Sequence, residues 1–248
     1  MASKTQARWN GKLVSGSDGE VMTFADSRYS PTPGSNYCWK DAPLLAYLCD
    51  PRIGRRFLHE GYDYRPTADY WVLTQVGTSP VTGSSEGIRH DTGATEDNGT
   101  NLQNAAAQFT PAANKDIWYG TILTVDEATQ TDVLCGLASS DTTLIASAPN
   151  SGIYFMKDDG DANIDVVTRA SGVETRTDSG IDLVSATSIR LDYHVVGVSR
   201  VDFYVNNVLV AQHTTNIPTA IMRASQALLT GEAVAHLATF VSDLFQIR

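Results

Sequence analysis

Residues 188–217 read SIRLDYHVVGVSRVDFYVNNVLVAQHTTNI, and the reading of this stretch decides the fold. Ile189, Leu191, Tyr193 and Val195 alternate with Arg190, Asp192 and His194. A two-residue period is that of a strand with one face in a core. Val201, Phe203 and Val205 then alternate with Asp202 and Tyr204, and the run stops at Asn206-Asn207. Asparagine tolerates positive φ, so the pair suits a two-residue hairpin turn. That turn sets Val205 opposite Val208 and Phe203 opposite Val210, and directly opposite residues share a face, so four apolar side chains gather on one side. Turn chemistry and hydrophobic pattern agree on an antiparallel β protein.

The same signals recur outward from this stretch. Strands are predicted over 70–76, 87–92, 102–109, 152–157, 164–169, 224–229 and 236–247, and 117–125 (IWYGTILTV) and 133–138 (VLCGLA) are apolar on both faces, as central strands are. Asp158-Asp159-Gly160-Asp161 reads as a hairpin turn. About a dozen short, evenly spaced strands fit two packed antiparallel sheets. At 248 residues and 42% hydrophobic content the chain can bury a full core in one main domain, over 66–248.

Residues 1–65 differ from the rest. They hold nine Lys/Arg and seven Asp/Glu, a balance of +2, against nine and twenty-one, or −12, over 66–248. They carry nine of the twenty-one aromatics without strong periodicity, and disordered tails are poor in aromatics, so an ordered, extended arm is expected. One short helix is predicted from Asp41 to Cys49, with Asp41 as N-cap and Pro43 in its first turn. The arm either docks on a partner, with Trp9, Tyr29, Tyr37, Trp39 and Phe57 as the contact candidates, or folds back over its own sandwich.

Segments 129–145 (TQTDVLCGLASSDTTLI), 151–165 (SGIYFMKDDGDANID), 200–212 (RVDFYVNNVLVAQ) and 230–248 (TGEAVAHLATFVSDLFQIR) together resemble the concanavalin A-like (laminin-G-like) jelly-roll structural proteins of tailed bacteriophage virions. The resemblance covers about 66–248. It implies a two-sheet jelly-roll sandwich and a role in the virion, often as an outer capsid or decoration component. The arm lies outside it.

Signals of chemistry are few. Gly83-Ser84-Ser85-Glu86-Gly87 matches G-x-S-x-G, but a nucleophile elbow needs a strand turning sharply into a helix, and here a hairpin loop is predicted. Asp159, Asp161, Asn163 and Asp165 occupy alternate positions like the start of a calcium loop; Ile164 and Ala170 stand where an EF-hand needs glycine and glutamate, so a polar turn is the simpler reading and no metal is assigned. None of the seven glutamates has an acid two residues later, which disfavours the paired-carboxylate arrangement of glycoside hydrolases. Five scattered histidines (59, 90, 194, 213 and 236) and the absence of G-x-G-x-x-G or a P-loop give no metal or nucleotide site. Three cysteines (38, 49 and 135) lack metal spacing and read as reduced, structural thiols.

An acidic body argues against nucleic acid, and the apolar runs are too short to span a bilayer. The N-terminus lacks the apolar stretch of a secretory signal, so assembly in a host cytoplasm is expected. The expectation is a non-enzymatic, cofactor-free virion protein on the phage head exterior, a decoration or cement protein attached through its arm to the major capsid protein or other virion proteins. It is expected to form a closed homo-oligomer, with a trimer favoured on symmetry grounds. The alternative is a lectin-like, glycan-binding module on the particle exterior or tail, for which Tyr154 and Tyr204 are ring candidates that can equally be core residues.

Overall fold

A computed structural model of the protein describes residues 7–9, 12–14, 38, 54–59, 70–84 and 87–247, with side chains at Cys38, 70–84 and 87–247. In chain order the strands are β1 (Ala7–Trp9), β2 (Lys12–Val14), β3 (Gly54–His59), β4 (Trp71–Val76), β5 (Val81–Ser84), β6 (Gly87–Asp91), β7 (Gly99–Asn104), β8 (Ile117–Val125), β9 (Thr131–Ala138), β10 (Gly152–Lys157), β11 (Asn163–Ala170), β12 (Val173–Asp182), β13 (Ile189–Val196), β14 (Arg200–Val205), β15 (Val208–His213), β16 (Arg223–Thr230) and β17 (Leu237–Ile247). β1 and β2 pair with each other. The rest form two antiparallel sheets. The first runs β12-β11-β10-β9-β16-β7-β4, the second β15-β14-β13-β8-β17-β6-β5. Beside β17, β6 pairs with Leu237–Phe240 and β3 with Ser242–Ile247. Among the described residues no helix is long and apolar enough to cross a membrane.

The deciding stretch folds as its pattern requires, with one change of register. β13 pairs with β14, and Val205 faces Val208 across a turn in which Asn206 and Asn207 have φ of 49° and 66°. Phe203, however, faces Ala211 and not Val210, because a β-bulge between Phe203 and Tyr204 inserts a residue. A bulge adds twist and re-aims side chains. Val210 still packs on the core from a half-buried position, while Val208 at the tip is exposed.

The core lies between the sheets. Ile117, Tyr119, Leu123, Leu191, Tyr193, Phe203, Phe240 and Leu244 of the second sheet meet Val133, Cys135, Leu137, Ile153, Phe155, Val166 and Leu228 of the first. A smaller apolar group, Trp71, Val81, Ile88 and Leu102, closes the sandwich at the β4–β5 side. Polar side chains run between the two groups. His90 lies 2.7 Å from the Thr100 hydroxyl and 3.3 Å from Gln226 Oε1; Gln226 Nε2 donates to Ser242, and Ser242 to Thr121. Each link satisfies a group that burial would otherwise leave unpaired.

Three features depart from the patterning. β3 lies within the stretch read as arm, yet it adds backbone pairing to β17. β5 covers residues read as loop, and β12 was invisible because VETRTDSGID has no apolar alternation; all its residues are exposed or half-exposed and its register comes from β11. Finally, side chains that alternate away from the core of the second sheet are also withheld from solvent: Trp118, Asp192, Asp202, Tyr204 and Phe245 are all buried. The two carboxylates there are paired, Asp192 with Arg190 at 2.7–2.9 Å and Asp202 with Arg200 and Gln212 at 2.8 and 2.9 Å, as buried charge demands. The predicted helix 41–49 lies outside the described residues.

Candidate functional site

The residues singled out from the sequence do not converge. Gly83 and Ser84 finish β5 and Gly87 opens β6 opposite them, so the G-x-S-x-G run straddles a hairpin and not a strand-to-helix elbow. The calcium-like run is divided. Asp159 N–H donates to Asp132 Oδ1, Asp161 Oδ1 accepts the Asn163 N–H at 3.0 Å, and Asp165 is held by Arg176, which also reaches Asp158. Among the described residues no group of three or more His, Cys, Asp or Glu is placed to hold a metal ion. Tyr154 and Tyr204 are both buried. Tyr154 packs on the outer face of the first sheet under Leu144, with its ring over Gly152. Trp9 ends β1 and Phe57 lies within β3, while Tyr29, Tyr37 and Trp39 lie outside the described residues. Cys38 and Cys135 are free and buried, and burial pushes the Cys135 thiol up to about 12, where it is inert.

One end of the sandwich is acidic and closed. The Lys157 ammonium is buried there and donates to the carbonyls of Thr129 and Thr131. Burial pulls its pKa down to about 8, against the neighbouring Asp132 and Asp159. Burial likewise raises Asp132 to about 6. The backbone seals this end: Gly160 N–H donates to Thr129 O and Gly231 N–H to Gln130 O. On the adjoining outer face, Arg169 binds Glu174 and Arg176 binds Asp158 and Asp165. These carboxylates are spent on guanidinium groups.

The opposite end holds a cleft of about 280 Å³, near the lower limit of ligand pockets. Gln108, Thr110, Ala112, Lys115, Ile221, Gln246 and Ile247 line it. Its parts are fixed by short-range bonds. Gln246, at the end of β17, pairs its side-chain amide with the Thr110 backbone, accepting the N–H at 3.3 Å and donating to the carbonyl at 2.6 Å. Gln108 N–H donates to Met222 O, and the backbones of Phe109 and Met222 bridge, which brings Ile221 alongside. Gln108 Nε2 donates to Asn104 Oδ1, and Asn104 Nδ2 donates to the Tyr70 carbonyl, each at 3.2 Å. Tyr70, 57% exposed, is thus two hydrogen bonds from the cleft and is the exposed aromatic side chain among the described residues. Lys115 follows a turn in which Asn114 has φ of 61° and closes it by donating its N–H to Ala112 O. The next residue, Asp116, has its carboxylate occupied by the Gly197 N–H and by His194 Nε2 at 3.0 Å.

Amides, a hydroxyl, an ammonium and two isoleucines make a surface suited to holding a polar ligand. No described carboxylate lines it, so it lacks the acid and base that glycosidic cleavage requires. Nothing in the sequence marked this cleft, because it joins residues 108–115 to 221 and 246–247 and only β-pairing over more than one hundred residues brings them together. The cue that was present is composition: Asn104 and Gln246 are amides at or next to strand ends, and Gln108 is a third in the loop after β7.

No family model and no curated protein matches the chain. Solved structures do. A beta-glucanase of Bacillus licheniformis is 13% identical, with a TM-score of 0.54 over 78% of this chain and 98% of that one. A beta-1,3-1,4-glucanase (lichenase) derived from a mouse hindgut metagenome is 9% identical, TM-score 0.56, over 77% and 98%. The carbohydrate recognition domain of Emp46p in its potassium-bound form is 9% identical, TM-score 0.52, over 76% and 98%. At these identities the likeness establishes the concanavalin A-like jelly-roll fold, a scaffold used by binders and hydrolases alike. Nothing in these likenesses shows a virion context.

Proposed function

We propose that this protein is a non-catalytic carbohydrate-binding jelly roll that seats a glycan in the cleft between Gln108, Thr110, Lys115 and Gln246. The observation that carries this reading is the cleft itself, amide-lined and carboxylate-free, with the backbone of the exposed Tyr70 tied to it through Asn104. Sugars are recognised by side-chain amides and hydroxyls that match their hydroxyl groups, and by rings that lie on their C–H faces. The fold is shared with the Emp46p carbohydrate recognition domain, which supports binding, and with the two glucanases, which keeps hydrolysis in view. Binding is preferred because no described carboxylate lines the cleft, and Asp158 and Asp165, the acids brought together on the outer face of the first sheet, both face Arg176. The test is a glycan microarray followed by calorimetry with the full chain. We expect an oligosaccharide that binds at least tenfold more weakly to the combined Tyr70→Ala, Gln108→Ala variant and releases no reducing ends on prolonged incubation. An empty array, or binding indifferent to both substitutions, refutes the reading.

A second reading is a structural component of a phage particle, attached to a capsid or other virion protein. It is supported by the placement of the segments that resemble virion jelly rolls: they fall on β9, β10, β14, β15 and β17, strands that build the sandwich. Co-sedimentation of the protein with intact particles tests it, and its absence from purified particles counts against it.

A further inference from the structure

We infer that the glycan taken by the end cleft is an acidic one, a uronate-containing oligosaccharide whose carboxylate meets Lys115. The inference rests on the carbohydrate-binding reading and narrows it. Over 66–248 the chain carries a balance of −12, and basic side chains in so acidic a body are normally claimed by acids. Arg89, Arg169, Arg176, Arg190 and Arg200 each hold a carboxylate, and Lys157 donates to two carbonyls. Two basic side chains among those described are left over, Arg223, whose buried Nε has no hydrogen-bond partner, and Lys115; of the two, Lys115 stands on the wall of the cleft. The nearest acid in sequence, Asp116, is occupied by Gly197 and His194.

The other lining groups bias the cleft in the same direction. Gln246 is held on both sides of its amide by the Thr110 backbone, which fixes its orientation and leaves its oxygen one lone pair. Beside the amides of Gln108 and Gln246 the cleft presents the Thr110 hydroxyl and the Lys115 ammonium, and the ammonium is the charged group of its lining, a donor with no acceptor capacity. A neutral sugar can use the amides and the hydroxyl but brings no charge to meet the ammonium. A ligand carrying its own carboxylate supplies the anionic acceptor that Lys115 lacks, and a charge-assisted hydrogen bond forms between the two.

The experiment titrates the full chain with trigalacturonate and with the same trisaccharide after carboxyl reduction, at 50 and 500 mM salt. We expect trigalacturonate to bind at least tenfold more tightly than its neutral counterpart at low salt. The preference should fall several-fold at high salt, since an exposed ion pair is screened within about 10 Å at 0.1 M. Lys115→Gln should lower trigalacturonate affinity about tenfold, the usual worth of a hydrogen bond to a charged group, and leave the neutral trisaccharide unchanged. Arg223→Gln, which removes a positive charge outside the cleft, should change neither. Equal affinity for the two trisaccharides, or loss that is the same in Lys115→Gln and Arg223→Gln, overturns the acidic-glycan inference while the carbohydrate reading stands. Failure of these and all other glycans to bind overturns both. Lys115 is exposed, so its substitution leaves the fold intact, and an unchanged near-ultraviolet spectrum verifies this.

Discussion

Phe203 is the residue whose removal the packing most clearly prices. It is fully buried, and its ring is met by three others: Phe155 at 5.6 Å and 85°, Tyr193 at 5.7 Å and 64°, and His213 at 5.1 Å and 64°. All three are edge-to-face contacts, each worth about 0.5–1.5 kcal/mol beyond the area they bury. Truncation to alanine removes these contacts and opens a cavity that two sheets held by continuous pairing cannot collapse to fill. Phe-to-Ala changes in cores cost about 3–5 kcal/mol, and the loss of three ring partners places Phe203→Ala in the upper half of that range, about 4 kcal/mol. With a urea m-value of about 2 kcal/mol/M, the unfolding midpoint should fall by about 2 M. Phe203→Leu, which keeps most of the volume, should cost under about 2 kcal/mol. Val208→Ala, at the exposed tip of the same hairpin, should stay within about 0.5 kcal/mol of the parent. Urea unfolding followed by tryptophan fluorescence measures all three. A midpoint for Phe203→Ala within about 0.5 M of the parent at unchanged m, or equal losses in Phe203→Ala and Val208→Ala, refutes the assignment of this ring to the centre of the core.

Three more outcomes follow from particular residues. His213 of β15 lies 3.0 Å from the hydroxyls of Thr168 and Thr177 in the other sheet, and burial lowers its pKa below the usual imidazole value. The unfolded chain therefore takes up a proton that the folded one resists, so this group's contribution to stability is lost as pH falls below about 6.5; His213→Gln should flatten the dependence of the urea midpoint between pH 7.5 and 5, and an unaltered slope in the variant contradicts it. At Gly136, where φ is +151°, an added Cβ would stand 2.4 Å from the Ile153 carbonyl oxygen and 2.7 Å from Tyr154 Cα; Gly136→Ala should lose about 2–3 kcal/mol in thermal unfolding, and a variant as stable as the parent is the contrary result. Asn207 bears φ of 66° in the β14–β15 turn, so Asn207→Gly should raise stability by about 0.5–1 kcal/mol, and a loss on the same assay would mean its side chain matters more than its backbone.

The legibility of the chain was uneven, and the reason differs from element to element. β8 and β10 were legible to the residue because their apolar runs are bounded by turn-forming residues. The β13–β14–β15 meander was legible in its turn but not in its full register, since the bulge at Phe203/Tyr204 depends on how the edge strand twists over the core. β12 was not legible, because an edge strand exposed on both faces needs no hydrophobic period. The burial of Trp118, Asp192 and Tyr204 on the outward side of the second sheet was not legible either, since alternation marks two faces and cannot say that both are covered. Of the candidate site, the sequence carried the amides and the ammonium as isolated letters.

What residues 70–247 settled by themselves was class: alternation with period two, Asn-Asn at a turn and apolar runs on central strands admit only stacked antiparallel sheets, because local sterics and burial act on neighbours in the chain. What the tertiary structure alone decided was adjacency. Gln108, Lys115, Ile221 and Gln246 become one cleft through strand pairings whose partners lie far apart in sequence, whereas Asp158, Asp165 and Arg176 are gathered by the consecutive strands β10, β11 and β12. The hydrogen-bond ladder that joins such strands is the same whatever side chains they carry, so the chemistry it gathers at its ends is written nowhere in the local pattern.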